Sequence, residues 1–352
     1  MWCEKQRFVV RFVSVWLAVS LCFACASCSF ASSQKEYVSK TYLMMDTVIE
    51  VKLRCDATTA QPILTRCGEI MTQVENVLSR TVSESTVAVF NETGQATLDA
   101  DTAAVLARAL EVAARTNGTF DPTVDGLVSL WSTCGEENRL PTDAELAERL
   151  SHVGTDKLML TDGVLTRTDA ETTLDLGAIG KGYAIDRLLE YLKTTSVPGG
   201  VLSFGGNVAV FGTKGGGEPY RIGVRDPQNT SSVLGYLNMS SGVISVSGDY
   251  ERYVTVDGVR YHHILNPETG YPVENGLHSV AVICEDGALA DALSTALFVM
   301  GVDRAMDFYR SGGYEFEAIF TTNDEIVLTD GLAYAGYFEL TAAGYAVRET
   351  AG

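Results

Sequence analysis

Positive charge is scarce in this sequence of 352 residues. Its 26 lysines and arginines face 45 aspartates and glutamates, which gives a formal net charge of −19 at pH 7. Such a surface repels nucleic acids and anionic lipid headgroups. We therefore expect no nucleic-acid partner, and any phosphate that the protein binds must be met by local hydrogen-bond donors or by a metal ion.

Closely spaced cysteines are also lacking in the body of the chain. Cys55, Cys67, Cys134 and Cys284 lie far apart and form none of the C-x-x-C pairs that hold zinc in proteins. A zinc cluster is therefore not expected. One or two disulfide bonds are compatible with an exported protein, but the sequence does not define their pairing.

The apolar segment at residues 12–26 is shorter than the ~20 residues that a membrane-spanning helix needs. Basic residues precede it, and small residues lead from it to Cys28, as in the signal peptide of a bacterial lipoprotein. We predict a signal peptide over 1–27 and a lipid anchor on Cys28, at the extracytoplasmic face of the cell membrane. Lipidation of Cys25 and an uncleaved signal anchor remain alternatives.

No proline-rich or highly charged linker and no internal repeat interrupts the rest of the chain, and 46% of all residues are hydrophobic, as in a globular protein. We predict a tether over 28–40 and one catalytic domain over 41–345. Helical and strand patterns occur in mixed order, and several strands are joined by short turns. The sequence therefore predicts an α+β fold, a single compact module with a mixed, largely antiparallel sheet and packed helices.

A glycine-rich turn separates a predicted strand, which ends at Leu176, from a predicted helix. Gly177, Gly180 and Gly182 allow close approach of a ligand to the backbone, and free amides at a helix start favour an anion. The spacing matches neither the G-x-G-x-x-G fingerprint nor a P-loop, which needs Ser or Thr where Gly182 stands. The turn therefore predicts either an unusual phosphate site or a loop that only packs a helix onto a sheet.

Asp291 and Thr295 are spaced i and i+4 in a predicted helix, so their side chains lie on the same face. A carboxylate and a hydroxyl are hard oxygen donors, which suit Mg²⁺ better than zinc. The alternative is that Asp291 only interacts with backbone groups near the helix start.

Only four histidines occur in the chain, and His262 and His263 directly precede the turn sequence Asn-Pro-Glu-Thr-Gly at 266–270. Histidine is the side chain best suited to act as a general base near neutral pH. Because neighbouring side chains on a strand point to opposite faces, at most one of the two enters a given site. The sequence does not decide which one.

Two polar interruptions fall within predicted strands. Gly205-Gly206-Asn207 breaks an apolar run, which predicts either a β-bulge or close approach of a ligand to the backbone. Arg252 lies in the polar turn at 247–252. It is suited either to holding a phosphate or to pairing with one of the many carboxylates.

Six motifs that occur in order resemble those of the ApbE-type FAD:protein FMN transferases, a family of mostly lipoprotein flavin transferases. The resemblance extends over about residues 41–340. The motifs are Phe-Asp-Pro-Thr-Val at 120–124 with 127–131, Asp-Leu-Gly-Ala-Ile-Gly-Lys-Gly at 175–182, Gly-Gly-Asn at 205–207, Ser-Gly-Asp-Tyr-Glu-Arg at 247–252, His-Ile-Leu-Asn-Pro-Glu-Thr-Gly at 263–270 and Ala-Asp-Ala-Leu-Ser-Thr at 290–295.

This resemblance implies that the protein binds FAD and uses Mg²⁺ to transfer FMN to a Thr or Ser hydroxyl of an acceptor protein, with release of AMP. The acceptor would be a separate exported or membrane protein. Two alternatives are an FAD pyrophosphatase, in which water replaces the acceptor hydroxyl, and a lipoprotein that binds flavin without catalysis.

The resemblance also implies roles for individual residues. Mg²⁺ would be bound by the backbone carbonyl of Ala178 and by the side chains of Asp291 and Thr295, and His263 would be the catalytic base. The positions that would contact FAD are Met45, Phe120, Asp121, Pro122, Thr123, Asp175, Lys181, Gly205, Gly206, Asn207 and Leu265.

The chain departs from the family pattern at three places. Asp46 stands where glycine is usual, Thr81 stands where an aromatic residue is usual, and Asp125-Gly126 replaces Gly-Pro. These differences bear on the affinity for FAD and on ring stacking rather than on the chemistry.

Overall fold

The computed structural model describes residues 37–335 and 337–349. The predicted signal peptide and Cys28 lie outside these ranges. The first strand, Tyr37–Met44, begins within the stretch that the sequence assigned to the tether. Its pairing along its whole length with the strand Thr47–Arg54 explains this, because eight residue pairs form one continuous ladder.

In chain order, the strands of the described residues are β1 (Tyr37–Met44), β2 (Thr47–Arg54), β3 (Gln95–Thr97), β4 (Leu158–Thr161), β5 (Val164–Arg167), β6 (Gly199–Phe204), β7 (Asn207–Gly212), β8 (Tyr220–Arg225), β9 (Val233–Met239), β10 (Gly242–Gly248), β11 (Tyr253–Val256), β12 (Val259–His262), β13 (Ser279–Cys284), β14 (Glu317–Thr321), β15 (Glu325–Leu328), β16 (Phe338–Leu340) and β17 (Ala346–Glu349). The helices are α1 (Ala57–Leu78), α2 (Thr86–Thr93), α3 (Ala100–Arg115), α4 (Asp125–Glu136), α5 (Asp143–Leu150), α6 (Gly177–Lys193), α7 (Gly287–Met300), α8 (Val302–Arg310) and α9 (Asp330–Ala335).

A nine-stranded sheet in the order β1-β2-β6-β7-β10-β13-β14-β15-β17 forms the centre of the fold. Its neighbouring strands are antiparallel except β15 and β17, which are parallel. Smaller sheets have the orders β16-β9-β8 and β3-β5-β4, and β11 pairs with β12 alone. Because β17 joins the central sheet, the domain extends beyond the predicted end at residue 345.

Helix α7 is buried on nearly all sides, as expected for a helix that is apolar around its whole circumference. It crosses α6 where Gly182 meets Gly287. A Cβ atom on Gly182 would lie 2.0 Å from the carbonyl oxygen of Gly287, so only glycine permits this contact. The crossing brings the first turn of α6 beside Asp291.

The start of α7 is held by two other carboxylates. Asp186 accepts hydrogen bonds from the backbone N–H groups of Gly287 at 2.7 Å and Ala288 at 2.8 Å, and Asp286 accepts one from Leu289 at 2.8 Å. These bonds satisfy amides that a helix leaves unpaired at its first turn. Asp291 is therefore not needed at the helix start.

Two tight turns lie at the same end of the strands of the central sheet. Gly205-Gly206 forms the two-residue turn between β6 and β7, with Phe204 paired to Asn207. The β-bulge, one of the two alternatives that the sequence left open, is therefore wrong, and the positive φ of 66° at Gly205 is that of a tight reversal of the chain. Met45-Asp46, both with positive φ, forms the equivalent turn between β1 and β2.

Among the described residues, no helix combines the length and the apolar character that a bilayer crossing requires. The thiols of Cys67, Cys134 and Cys284 are free, so none of these three forms the disulfides that the sequence allowed. Burial raises the pKa of the Cys67 and Cys284 thiols to about 12, which keeps both protonated and unreactive at neutral pH.

Candidate functional site

A cleft with a volume of about 900 Å³ lies beside the two turns and the start of α6. It is lined by both turns, the end of β10, parts of α4 and α7, and the segments 78–82, 119–121, 175–181, 250–254 and 261–265. The segments are far apart in the sequence, so the cleft depends on the folded domain as a whole. Its size is that of a pocket for a large organic ligand.

Most of the predicted site residues line this cleft. They are Met45, Phe120, Asp121, Asp175, Ala178, Lys181, Gly205, Gly206, His263, Leu265, Asp291 and Thr295. Pro122, Thr123 and Asn207 are not among the lining residues.

These three residues support the cleft wall from behind. The carbonyl oxygen of Pro122 accepts a hydrogen bond from the backbone N–H of Asp175 at 2.8 Å. Thr123 donates to Asp121 Oδ1 at 2.6 Å. Asn207 is buried, and its amide donates to Asp291 Oδ1 at 2.8 Å. The carbonyl of Pro122 and the side chains of Thr123 and Asn207 thus position groups that do reach the cleft.

The Asp291 carboxylate, only 4% exposed, is held by four donors. Oδ1 accepts from Asn207 Nδ2 at 2.8 Å, Ser245 Oγ at 3.1 Å and Lys181 Nζ at 3.4 Å. Oδ2 accepts from the backbone N–H of Gly182 at 2.9 Å. A buried carboxylate with this many donors has a fixed orientation and is compensated for its loss of water.

The bond from Gly182 also affects Ala178. In a regular α-helix the Gly182 N–H would point at the carbonyl oxygen of Ala178, four residues earlier. Here this N–H donates to Asp291 Oδ2 at 2.9 Å, so the Ala178 carbonyl does not have this donor to itself. Ala178, Asp291 and Thr295 all line the cleft. Such a set of oxygen ligands fits Mg²⁺.

The two neighbouring histidines differ in their surroundings. His262 Nε2 bonds to the carbonyl of Val273 at 2.9 Å, and the ring packs edge-on against Phe298, so this side chain supports the fold. His263 Nδ1 lies 3.1 Å from the carbonyl oxygen of Arg252. Because a carbonyl only accepts, Nδ1 carries the hydrogen and Nε2 keeps a free lone pair.

The His263 ring is open to solvent within the cleft, although protein surrounds it on most sides. Burial lowers the pKa of His263 to about 4, and the charges of Arg252, His262 and Lys181 add to this effect, while the hydrogen bond to the Arg252 carbonyl opposes it. The imidazole is therefore neutral at pH 7. A neutral ring with a free Nε2 lone pair is suited to accept a proton.

Arg80 joins two acidic residues at the other end of the cleft. Its guanidinium lies 3.0 Å from Asp125 Oδ1 and 3.5 Å from Asp175 Oδ2. Burial and the charge of Asp175 raise the pKa of Asp125, and Arg80 acts against this. No local pattern in the sequence indicates Arg80 as a site residue, because its partners are 45 and 95 residues away.

Other cleft residues were also missed. Glu75 accepts a hydrogen bond from the backbone N–H of Met45 at 2.7 Å. The Glu251 carboxylate lies against Gly206, and burial raises its pKa while Lys181 and neighbouring arginines lower it. Arg252, by contrast, was singled out from the sequence. It donates to the carbonyl oxygen of Asp46 at 3.4 Å and, within the part of the chain described, forms no ion pair within 4 Å.

The family model of the ApbE family matches residues 45–320, most of the chain. The chain belongs to the ApbE family. It is 29% identical over 342 residues to the FAD:protein FMN transferase of Haemophilus influenzae, which covers 92% of this chain and 97% of that protein. It is 30% identical over 317 residues to the FAD:protein FMN transferase of Treponema pallidum, with 84% and 87% coverage.

The structure is also similar to that of the ApbE protein from Thermotoga maritima. The TM-score is 0.75 and the identity 35%, with 82% of this chain and 94% of that chain covered. The ApbE family and the α+β fold expected from the sequence are therefore confirmed. All predicted site residues of this ApbE-family protein fall within the matched range.

Proposed function

We propose that this protein transfers FMN from FAD to a Thr or Ser hydroxyl of an acceptor protein, in a Mg²⁺-dependent reaction that releases AMP. The name of its relatives, FAD:protein FMN transferase, supports the choice of flavin donor and of a protein acceptor. The observation that carries the proposal is that one cleft contains both the oxygen set around Asp291 and a neutral histidine.

In this proposal Mg²⁺ is held by the Ala178 carbonyl and by the side chains of Asp291 and Thr295. When bound, the ion would neutralise charge on the pyrophosphate of FAD and act as a Lewis acid. Lys181 Nζ, 3.3 Å from the Gly177 carbonyl and 3.4 Å from Asp291 Oδ1, lies where a phosphate oxygen beside this ion would come within its reach.

The remaining cleft residues would bind the rest of FAD. Phe120, Leu265 and Met45 offer apolar surface to its rings, and Asp121 and Asp175 offer carboxylates to its hydroxyl and N–H groups. The turn Gly205-Gly206 provides backbone without side chains at the wall. Pro122, Thr123 and Asn207 act through the groups that they hold.

His263 would act as the general base. Its Nε2 would accept the proton of the incoming hydroxyl, whose oxygen attacks the FMN phosphorus. The bond from that phosphorus to the bridging oxygen then breaks, and AMP leaves with the electron pair. The bond from His263 Nδ1 to the Arg252 carbonyl keeps the ring in the tautomer that this step requires.

Replacing His263 by glutamine tests this assignment. Loss of the base should lower the rate of FMN transfer by about 10²–10⁴-fold, the usual worth of such a group, while FAD binding stays near the level of the unchanged protein. Transfer is measured by the mass gain of the acceptor, and binding by flavin fluorescence. An unchanged transfer rate would refute the role of His263.

The same assay separates the alternative activities. With FAD and Mg²⁺ but no acceptor, release of AMP and free FMN would show a pyrophosphatase. Tight FAD binding without any turnover would show a binding protein. A mass gain that matches FMN on a Thr or Ser of a candidate acceptor supports the transferase, and no gain with any exported flavoprotein tried would count against it.

We also propose that the protein acts at the extracytoplasmic face of the membrane, anchored through lipidated Cys28. The support is the sequence pattern of residues 1–28 alone. Acceptors would then be exported or membrane proteins. Recovery of the native protein in the soluble fraction after cell lysis would contradict the anchor.

A further inference from the structure

A row of hydroxyl groups runs behind the cleft from Thr295 to the backbone of Asp291. Thr295 Oγ1 lies 3.2 Å from Ser247 Oγ, which lies 2.8 Å from Ser294 Oγ. Ser294 Oγ in turn lies 2.9 Å from the carbonyl oxygen of Asp291. Ser294 is fully buried, so no water competes for its hydrogen bonds.

The directions of these bonds follow from counting hydrogens. The Asp291 carbonyl can only accept, and Ser294 has a single hydroxyl hydrogen, so Ser294 donates to Asp291. Ser247 must then donate its own hydrogen to Ser294, which it meets at 2.8 Å. Thr295 is left to donate to Ser247. The Thr295 hydrogen thus points toward Ser247, and the lone pairs of the Thr295 oxygen remain available to a ligand in the cleft.

Ser245 does not change this order. Its hydroxyl has two nearer acceptors, Asn207 Oδ1 at 2.8 Å and Asp291 Oδ1 at 3.1 Å, and its separation from Ser294 is 3.4 Å. The single hydrogen of Ser245 therefore goes to the adjoining acceptors of Asn207 and Asp291 rather than to Ser294. The row from Thr295 to the Asp291 carbonyl remains a separate chain of donors.

We propose that Ser247 and Ser294 are positioning residues that fix the Thr295 hydroxyl as an electron-pair donor to a divalent cation. A hydroxyl that rotates freely presents its hydrogen to the cation part of the time, which weakens the contact. This inference rests on the proposed Mg²⁺ site at Ala178, Asp291 and Thr295. Partners behind a metal ligand commonly contribute 10–100-fold to metal affinity.

The test replaces each serine by alanine and measures binding of Mg²⁺ alone, by calorimetry, and of Mn²⁺, by electron paramagnetic resonance. In Ser294→Ala, Ser247 loses its acceptor and can donate to Thr295, which turns the Thr295 hydrogen toward the cleft. We expect about tenfold weaker binding in Ser294→Ala and Ser247→Ala. The Mg²⁺ concentration for half-maximal FMN transfer should rise by a similar factor.

Two variants control for a purely structural role. Ser247→Thr keeps a hydroxyl on β10 and should retain most of the affinity. Ser241→Ala removes an exposed hydroxyl that bonds to Glu285 just before β10, and it should leave metal binding unchanged. If Ser294→Ala does not fold, the partly exposed Ser247 carries the test through Ser247→Ala and Ser247→Thr.

Thr295→Val distinguishes failure of this inference from failure of the proposed metal site. If Thr295→Val loses metal binding while both serine variants bind as the unchanged protein does, the row of hydroxyls has no positioning role and the inference is wrong. If Thr295→Val also binds normally, or the unchanged protein binds no Mg²⁺, the proposed metal site itself is wrong.

Discussion

The two ends of the cleft are built differently. At the end formed by α6, α7 and β10, which we call the buried end, the Asp291 carboxylate is buried and is fixed by donors of the protein itself. At the end formed by residues 79–82 and α4, which we call the exposed end, Arg80 holds Asp125 and Asp175 through ion pairs. A third of the Arg80 side chain is exposed, although the two carboxylates are more buried. Buried networks keep their geometry before a ligand arrives, whereas partly exposed ion pairs are weaker and screened by salt.

The two ends would therefore have different roles, one in the chemical step and the other in the affinity for FAD. The buried end contains the groups proposed to bind Mg²⁺ and the pyrophosphate, where small displacements change the rate strongly. The exposed end contains Thr81 and Asp125, two of the positions at which the sequence is expected to depart from the family pattern. In the proposed function, the buried end would carry the chemical step and the exposed end would contribute to the affinity for FAD.

Asp291→Asn should have the largest effect in this comparison. The amide loses one carboxylate oxygen and the negative charge, and its NH₂ group opposes the donors of Asn207 and Lys181. A catalytic metal ion contributes several kcal/mol, so we expect FMN transfer to fall by about 10³-fold. The measurement is the initial rate at saturating FAD with increasing Mg²⁺.

Asp303→Asn is the matched control for that variant, because Asp303 lies in α8 with 95% of its side chain exposed. Its rate should equal that of the unchanged protein. A loss of less than tenfold in Asp291→Asn would show that the buried end is not where the metal acts.

The sequence predicted those parts of the site that depend on local spacing. Asp291 and Thr295 lie on one face of α7 because i and i+4 positions always do in a helix. Of the strand, turn and helix predicted around Gly177, only the helix was correct. Residues 172–176 form no strand, only an isolated bridge at Thr173, and the helix begins at Gly177 itself, so the three glycines lie in its first two turns. The six motifs then predicted most of the residues that line the cleft.

Long-range partners and short elements were not predictable in this way. Ser245 and Ser247 contact Asp291 and Ser294 of α7 only because β10 packs against this helix. The sequence of β10 alone does not predict that packing. Helix α2 was missed because it has only eight residues, too few for a clear apolar period, although Ser85 caps it through a 2.9 Å bond to Ala88. Gly205-Gly206 suits a bulge or a turn equally, and the pairing of β6 with β7 decides between them.

Arg80→Ala tests the exposed end and should have an intermediate effect. Its loss leaves Asp125 and Asp175 near each other without a cation, which raises the pKa of Asp125 further and loosens residues 79–82. We expect about tenfold weaker FAD binding, or about 1.4 kcal/mol, with the rate at saturating FAD changed by less than about twofold. Fluorescence titration gives the affinity, and transfer kinetics give the rate.

Arg66→Ala removes an exposed ion pair with Glu69 on α1 and should change neither quantity. If Arg80→Ala instead lowers the rate at saturating FAD as strongly as the affinity, the exposed end takes part in the chemical step. The distinction between the two ends would then be lost.

The pH dependence of transfer has the smallest expected effect, and it tests whether His263 belongs to the buried end of the cleft. Because the pKa of His263 is lowered to about 4, its neutral form persists as the pH falls and is lost only as the pH passes through that value. A histidine with an ordinary pKa near 6.5 would lose about tenfold of its neutral form at pH 5.5. We therefore expect kcat/KM to fall by less than about twofold between pH 7 and pH 5.5.

Titration of the imidazole NMR signals measures the same pKa directly, with His263→Gln assigning the signal among the four histidines. An acid limb near 6.5 in both measurements would mean that water, rather than protein and the charges of Arg252 and Lys181, dominates around the His263 ring. The base would then belong to the exposed part of the cleft. Its orientation would rest on the single bond to the Arg252 carbonyl, and Arg252 would need to be as well fixed as Asp291 for the proposed proton transfer to work.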